Sequence, residues 1–103
     1  MLIMKQSQSI LHRVGSCQDL YEREGLSFVG VFGSQARNEA RDDSDIDVLI
    51  DYSITKSLFD LARIQIELEY RLNKQVDLVT RRSLKPALRS NVEQDLITVY
   101  GKK

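Results

Sequence analysis

Residues 28–51 read FVGVFGSQARNEARDDSDIDVLID and contain two apolar segments joined by a polar one. Residues 28–32 are β-branched or aromatic except for one glycine, a composition typical of a short buried strand. Residues 38–44 are polar and charged, which indicates a loop. Residues 45–51 alternate and then turn apolar, which predicts a second strand with two unlike faces. The apolar face carries Ile46, Val48 and Ile50, and the acidic face carries Asp45, Asp47, Leu49 and Asp51.

Helical periodicity flanks these two strands. On the N-terminal side, apolar residues at helical spacing predict a helix over residues 6–24, which Gly25 would end. On the C-terminal side, a second helix is predicted near residues 57–74, with Ser57 or Thr55 as its N-cap. The apolar stripe that we expect to face the core consists of Leu58, Leu61, Ala62, Ile64, Leu68 and Leu72.

A third strand and a last helix complete the pattern. Residues 76–79 predict a short strand in which Asp77 is the one acid. Apolar residues spaced by four over residues 84–96 predict a helix, in which Pro86 fits only the first turn. Residues 97–100 are compatible with either a continuation of that helix or a final strand. The alternation of helices and strands predicts an α/β domain in which helices cover a small sheet.

Composition narrows the class of protein. The chain has 103 residues, of which 42% are hydrophobic and 29% charged, and this predicts one globular domain over residues 1–103. Its net charge of zero argues against a general nucleic-acid binder, which needs a basic excess. No apolar run is long enough to span a bilayer, and the single cysteine, Cys17, allows no intrachain disulfide. We therefore expect a soluble cytoplasmic protein without a membrane partner.

Candidate site residues lie at the end of the first strand and the start of the second. Gly33 ends the first strand, and Ser34 can open a helical turn whose free N–H groups and hydroxyl would hold phosphate oxygens. Asp45 and Asp47 project from one strand face, where two like charges favour a cation such as Mg²⁺ between them. If the third strand lies beside the second, Asp77 adds a third carboxylate. Such a set fits metal-assisted in-line attack on the phosphorus of a nucleotide.

The same residues carry a family resemblance. Gly33-Ser34, ten intervening residues and Asp45-Ile46-Asp47 resemble the signature of the DNA polymerase β-type nucleotidyltransferase superfamily. The wider string GVFGSQARNEARDDSDIDVLID resembles its smallest members, the minimal nucleotidyltransferase (MNT) domains. The resemblance extends to VDLVT and to Leu84-Lys85-Pro86, so it covers most of the chain. It implies the polymerase β-like fold, a small mixed sheet flanked by helices.

The resemblance also implies a role for each matching residue. Gly33 and Ser34 would hold the phosphates of the nucleotide, while Asp45 and Asp47 would bind Mg²⁺. Asp77 would be the third metal-binding and catalytic carboxylate, which helps to activate the attacking hydroxyl.

The sequence indicates the roles of the remaining polar residues less directly. Arg37 matches the arginine that commonly follows the alanine of the motif, and it would contact phosphate or the acidic loop. Residue 38 is usually glycine in these domains and is Asn38 here, but asparagine tolerates a left-handed backbone, so we expect the turn to be kept. Outside the motif, we expect Asp51 to have a surface role and Arg81 and Arg82 to form a solvated basic turn.

MNT domains are often paired with a helical HEPN partner, and several such pairs resemble toxin–antitoxin systems. In those pairs the MNT protein is the antitoxin, and it transfers AMP from ATP to a tyrosine of the HEPN ribonuclease. The resemblance therefore implies an Mg²⁺-dependent nucleotidyltransferase that uses ATP or another nucleoside triphosphate and modifies a helical HEPN-type partner.

Two alternatives stay open at this point. A non-catalytic module would neutralise or scaffold a helical partner, although it has no chemical need for three carboxylates. A nucleotidyltransferase that acts alone on an antibiotic would normally be a larger chain. The short chain predicts that a partner protein, or another copy of itself, completes the site. Phe59 and Tyr70 are expected to pack or to line such a partner surface.

Overall fold

The computed structural model describes residues 9–101, which form a four-stranded sheet with helices on both faces. The elements in chain order are α1 (Ile10–Gly15), α2 (Gln18–Arg23), β1 (Leu26–Phe32), β2 (Ile46–Tyr52), α3 (Leu58–Leu72), β3 (Val76–Thr80), a 3₁₀ turn (Arg81–Ser83), α4 (Pro86–Asp95) and β4 (Ile97–Gly101). None of the helices within these residues has the length and apolar character needed to cross a membrane.

The sheet is mixed, as expected from the family resemblance. Its strand order is β3-β2-β1-β4, with β2 and β3 parallel and with β1 antiparallel to both β2 and β4. The parallel pair is connected through α3, the usual crossover for parallel strands. The open choice for residues 97–100 is resolved in favour of a strand, because β4 pairs with the second edge of β1.

Two apolar clusters occupy the two faces of this sheet. The larger cluster lies between the sheet and helices α1, α2 and α3. It contains Ile46, Val48 and Ile50 on the apolar face of β2, as the alternation predicted. On the opposite side α4 covers the smaller cluster, formed by Phe28, Leu49, Leu84, Val92 and Leu96. The acidic residues of β2 therefore lie on the α4 side. That residues 1–103 form a single domain stays a prediction.

The helix predicted over residues 6–24 is wrong as one continuous element. Residues 6–8 lie outside the described part, and beyond them the chain forms α1 and α2 with a break at Ser16. The Tyr21 hydroxyl donates to the Val14 carbonyl at 2.6 Å, and the Ser16 hydroxyl donates to the Arg13 carbonyl at 2.8 Å. Side-chain donors thus occupy carbonyls that a continuous helix would pair with backbone N–H groups.

The predicted core stripe of α3 is correct except for Leu58 and Ala62, and Leu61 packs partly buried against the core. Ile64, Leu68 and Leu72 are buried, whereas Leu58 is 82% exposed and Ala62 is also exposed. Ile64, Leu68 and Leu72 repeat every four residues, and this row determines which side of the helix contacts the sheet. Leu58 and Ala62 point away from that row, so the expectation that they belong to the core was wrong.

The solvent side of α3 carries large apolar side chains. Phe59 is 85% exposed, Ile66 65% and Tyr70 86%. Their spacing of seven and four residues places them on one face of the helix, opposite the buried row. Phe59 and Tyr70 are therefore free of the core, which leaves the second of their two expected roles, lining a partner surface, as a prediction.

Candidate active site

The strand register brings two of the expected carboxylates together. Asp47 of β2 and Asp77 of β3 are direct neighbours in the parallel ladder, and both lie on the α4 side of the sheet. Asp45 is the residue before the first residue of β2, at the same end of the sheet. The condition set by the sequence, that the third strand lies beside the second, is met.

Asp47 is the most constrained of these acids. Its side chain is partly buried, and its pKa is raised, first because burial disfavours the charged form and then because Asp77 and Asp45 lie near it. Arg37 is close enough to oppose this shift. Among residues 9–101 no hydrogen bond stabilises the Asp47 carboxylate. The fold therefore holds negative charge here at an energetic cost, a pattern that is frequent at functional sites.

The turn after β1 approaches these acids closely. Gly33 has φ +77°, and a Cβ atom at this position would overlap the Oδ2 atom of Asp47. The turn closes through hydrogen bonds from the Arg37 N–H to the Gly33 carbonyl and from the Glu39 N–H to the Ser34 carbonyl, at 3.1 and 2.9 Å. Glycine is thus required here for two separate reasons, the backbone conformation and the absence of a side chain.

Asn38 confirms the expectation for its position. It has φ 62°, within the left-handed region, so asparagine replaces the usual glycine without loss of the turn. Ser34 is half-buried in the same turn. Free N–H groups of such a turn, together with a serine hydroxyl, can hold phosphate oxygens.

Arg37 contacts the acidic loop, one of the two contacts expected for it, and also a residue that the sequence did not indicate. Its Nη1 atom donates to Asp95 Oδ2 of α4 at 2.6 Å, and its Nε atom donates to Glu39 Oε1 at 3.0 Å. Arg37 is thereby held by Asp95 of α4 and by Glu39, which lies two residues further along the same loop. Asp95 lies 58 residues further along the chain, and no local spacing pattern could have found it.

The donor set has the chemistry that Mg²⁺ requires, since three carboxylates supply only oxygen ligands. In the arrangement of residues 9–101, no three acidic, histidine or cysteine side chains are gathered around a common point that could hold a metal ion. Asp45 and Asp77 are exposed, so their side chains are free to rotate towards Asp47. The residues therefore fit the ion by type and by strand placement.

A polar cavity of about 210 Å³ adjoins Asp45. The loop before β2 and the segment between α3 and β3 line it, with Asp42, Asp43, Ser44, Asp45, Asn73, Lys74 and Gln75. Lys74 donates to the Asp42 carbonyl at 2.5 Å and connects these two segments. No sequence pattern singles out Lys74, because one lysine just after the end of a helix belongs to no motif.

Asp51, Arg81 and Arg82 lie away from the site. The register places Asp51 four residues along the sheet from Asp47, roughly 13 Å at the rise of a β-strand. Arg81 contacts Asp51 at 3.5 Å and stacks on the Phe28 ring at 4.7 Å. The surface role expected for Asp51 agrees with this ion pair. The solvated basic turn is corrected for Arg81, which is half-buried, whereas Arg82 is exposed as expected and also donates to the Tyr52 carbonyl.

The fold and this constellation define a nucleotidyltransferase, and comparison with known families agrees. The chain belongs to the family "Polymerase beta, Nucleotidyltransferase", whose profile matches residues 16–103. Within that family it is similar to protein adenylyltransferase MntA of Thermococcus cleftensis, with 37% identity over 99 residues, 96% of this chain and 98% of that protein. A proposed protein adenylyltransferase of Methanocaldococcus jannaschii is 40% identical over 77 residues, 75% of this chain and 83% of that protein.

Solved structures share the fold. That of a proposed minimal nucleotidyltransferase superposes with a TM-score of 0.73 at 39% identity and covers 88% of this chain and 97% of that chain. The crystal structure of a toxin–antitoxin with AMP-PNP gives a TM-score of 0.77 at 22% identity, over 92% of this chain and 76% of that chain. At that identity the second likeness concerns the fold alone.

Proposed function

We propose that this nucleotidyltransferase transfers AMP from ATP to a hydroxyl group of a protein, and that this protein is the helical HEPN-type toxin of a toxin–antitoxin pair. The observation that carries the proposal is the placement of Asp45, Asp47 and Asp77 at one end of the sheet, with Asp47 directly against the Gly33 turn. The relatives named above as protein adenylyltransferases support the choice of a protein acceptor.

In the proposed mechanism, the turn binds the phosphates and the acidic residues assist the transfer step. The Ser34 hydroxyl and the N–H groups of the turn bind the β- and γ-phosphates and orient the α-phosphorus. The acceptor oxygen attacks that phosphorus, and its proton passes to the Asp77 carboxylate. The bond between the α-phosphorus and the bridging oxygen breaks, and pyrophosphate leaves in line with the incoming oxygen.

Asp45 and Asp47 would hold the metal in this scheme, with Asp77 as the third ligand. When bound, Mg²⁺ would supply positive charge to the phosphate oxygens and to the departing pyrophosphate. The raised pKa of Asp47 supports this part of the proposal, since a divalent cation would relieve the repulsion among the acids.

A protein partner is also supported by two features of this chain. The cavity of about 210 Å³ beside Asp45 is lined by two loop segments and opens to solvent, so a partner protein can approach it. The solvent face of α3 exposes Phe59, Ile66 and Tyr70, and large apolar patches of this kind are common at protein interfaces. A chain in the solved structure of a tri-AMPylated HEPN toxin of Shewanella oneidensis in complex with an MNT antitoxin has the same fold, at 22% identity. A cytoplasmic location belongs to the same proposal, because ATP is available there.

Intact mass spectrometry tests the proposal. The purified chain is incubated with Mg²⁺, ATP and a HEPN-type protein encoded beside its gene. We expect the partner to gain one or more AMP groups, and we expect Asp47→Asn to abolish the gain. Asp51→Asn is the matched control, because Asp51 lies on the same strand and face but pairs with Arg81. A stable complex without any AMP adduct would instead favour the non-catalytic binding module, and full activity of Asp47→Asn would refute the site.

A further inference from the structure

The side chain of Asp95 stands in an unfavourable position for a carboxylate. Asp95 is the last residue of α4, and no basic residue lies in the last turn of that helix. Because the C-terminus of a helix carries partial negative charge, an acid there is disfavoured unless a cation compensates it. The cation is Arg37, whose Nη1 atom lies 2.6 Å from Asp95 Oδ2.

The backbone that carries Asp95 is firmly held. The next residue, Leu96, is buried against β1, where its Cδ1 atom lies 2.7 Å from the position that a Cβ atom of Gly30 would occupy. The side chain of Asp95 is itself only 24% exposed, compared with 63% for Glu39, the other partner of Arg37. Of the two carboxylates, Asp95 is therefore the one that can fix the guanidinium in space.

The pairing leaves part of Arg37 available for another ligand. A guanidinium has five N–H donors, and Arg37 uses Nε for Glu39 and Nη1 for Asp95. Its Nη2 group makes no hydrogen bond within residues 9–101. Arg37 also belongs to the turn beside Asp47, since its backbone N–H donates to the Gly33 carbonyl at 3.1 Å. The Arg37 guanidinium is thus held in one orientation at the edge of the site. Its remaining N–H groups can donate to a further ligand.

We infer that Asp95 is a positioning residue for nucleotide binding, which acts by holding Arg37 so that its free N–H groups face the triphosphate. This inference rests on the proposed function, because it requires that the Gly33–Ser34 turn binds the phosphates. An arginine held in place before the ligand arrives loses less side-chain entropy on binding than a mobile one. Asp95 does not touch the reacting atoms in this scheme.

The test measures the Kd of the full chain for AMP-PNP with Mg²⁺ by isothermal titration calorimetry. We expect Asp95→Asn to raise Kd by about tenfold, the size expected for one immobilised long side chain. Asp95→Glu, which keeps the charge, is expected to recover most of the affinity. Glu93→Gln is the matched control and should leave Kd unchanged, since Glu93 is in the same turn of α4 but lies 3.5 Å from Arg81.

A double-mutant cycle separates positioning from a general structural effect. If Asp95 acts through Arg37, Asp95→Asn should change Kd by less than about twofold in an Arg37→Ala background. An equal loss in both backgrounds, or a wild-type Kd for Asp95→Asn, would overturn the inference while the wild-type chain still binds AMP-PNP. Failure of the wild-type chain to bind would instead refute the phosphate-binding turn itself. Thermal unfolding of each variant accompanies the titrations, and we expect Asp95→Asn to keep the wild-type midpoint.

Discussion

At Gly33, the absence of a side chain allows the turn that we propose to bind phosphate to lie against the Asp47 carboxylate. The residue combines φ +77° with a position at which a Cβ atom would enter the space of the Asp47 carboxylate. Either constraint alone would favour glycine, and together they connect the conformation of the turn to the geometry of the acids.

We expect Gly33→Ala to lower both stability and activity. The left-handed conformation should cost about 1–2 kcal/mol in the free energy of unfolding, and the displaced Asp47 should reduce transfer by about 100-fold. Chemical denaturation and the AMP-transfer assay measure the two effects. Asn38→Gly is the control: its φ of 62° suits glycine, so stability and activity should stay close to wild type. An active, stable Gly33→Ala variant would contradict the role of this residue.

Asp47 should show a trade-off between stability and function. Its carboxylate is disfavoured by burial and by the neighbouring acids, so Asp47→Asn removes an unfavourable charge, and we expect the same change to abolish transfer. Without metal, we expect the free energy of unfolding to rise by roughly 0.5 kcal/mol. Mg²⁺ should then raise the melting midpoint of the wild type but not that of Asp47→Asn. Scanning calorimetry with and without Mg²⁺ checks both, and a destabilised Asp47→Asn would argue that the acid is structural.

At the scale of elements, α3 depends on its first turn. Ser57 Oγ accepts from the Asp60 N–H at 3.1 Å, and Asp60 Oδ2 accepts from the Ser57 N–H at 2.9 Å, which forms a complete capping box. The same helix ends at Asn73, whose φ of 56° closes it in the left-handed conformation. The helix thereby has defined ends between β2 and β3, the two strands whose pairing places Asp47 beside Asp77.

Ser57→Ala should therefore lower the free energy of unfolding by about 1 kcal/mol. Affinity for AMP-PNP should not change, because the first turn of α3 follows the end of β2 that is remote from Asp47. Urea denaturation of the variant measures the stability, and Ser53→Ala, an exposed serine outside the cap, serves as the control. A loss below about 0.3 kcal/mol would show that the capping box does not stabilise α3 in the folded chain.

At the scale of the whole molecule, the buried carboxylate of Glu24 connects two helices of the same layer. Glu24 is 6% exposed and its carboxylate accepts from Arg63 Nη2 at 2.8 Å, with Lys56 Nζ at 3.6 Å. The hydrogen bond from Arg63 is the main reason that the pKa of Glu24 is lowered. These contacts connect the end of α2 with α3 and with the loop that precedes it.

This acid predicts part of the pH dependence of stability. Because its pKa is lower in the folded chain than in the unfolded one, Glu24 stabilises the fold above the unfolded value of 4.5. That stabilisation is lost as the pH falls through the folded value. Glu24→Gln should lower the free energy of unfolding at pH 7 by about 1 kcal/mol, since Arg63 is half exposed and solvent weakens the pair. The difference from wild type should shrink below pH 4.5.

Denaturation curves at pH 7 and at acidic pH measure this difference. Glu22→Gln, which removes an exposed acid from the same helix, is the control and should behave like the wild type at both pH values. A Glu24→Gln variant with the same pH profile as the wild type would mean that the Arg63 contact contributes nothing to folding.

The sequence by itself determined the features that depend on near neighbours. Alternation over residues 45–51 separated the acidic face of β2 from its apolar face, and the Gly33–Ser34 signature placed the turn beside them. Asn38 was expected to take a left-handed backbone, and it does. These features follow from backbone periodicity and residue-specific dihedral preferences, which a short window of sequence contains.

Only the tertiary structure decided the rest. The break between α1 and α2 depends on the Tyr21 hydroxyl reaching the Val14 carbonyl, and the exposure of Leu58 depends on how α3 sits on the sheet. The contact of Arg37 with Asp95 joins residues 58 positions apart. Such contacts depend on how the folded elements pack against one another. Hydrogen bonding and burial require that two groups are close in space, whereas a sequence pattern contains only their separation along the chain.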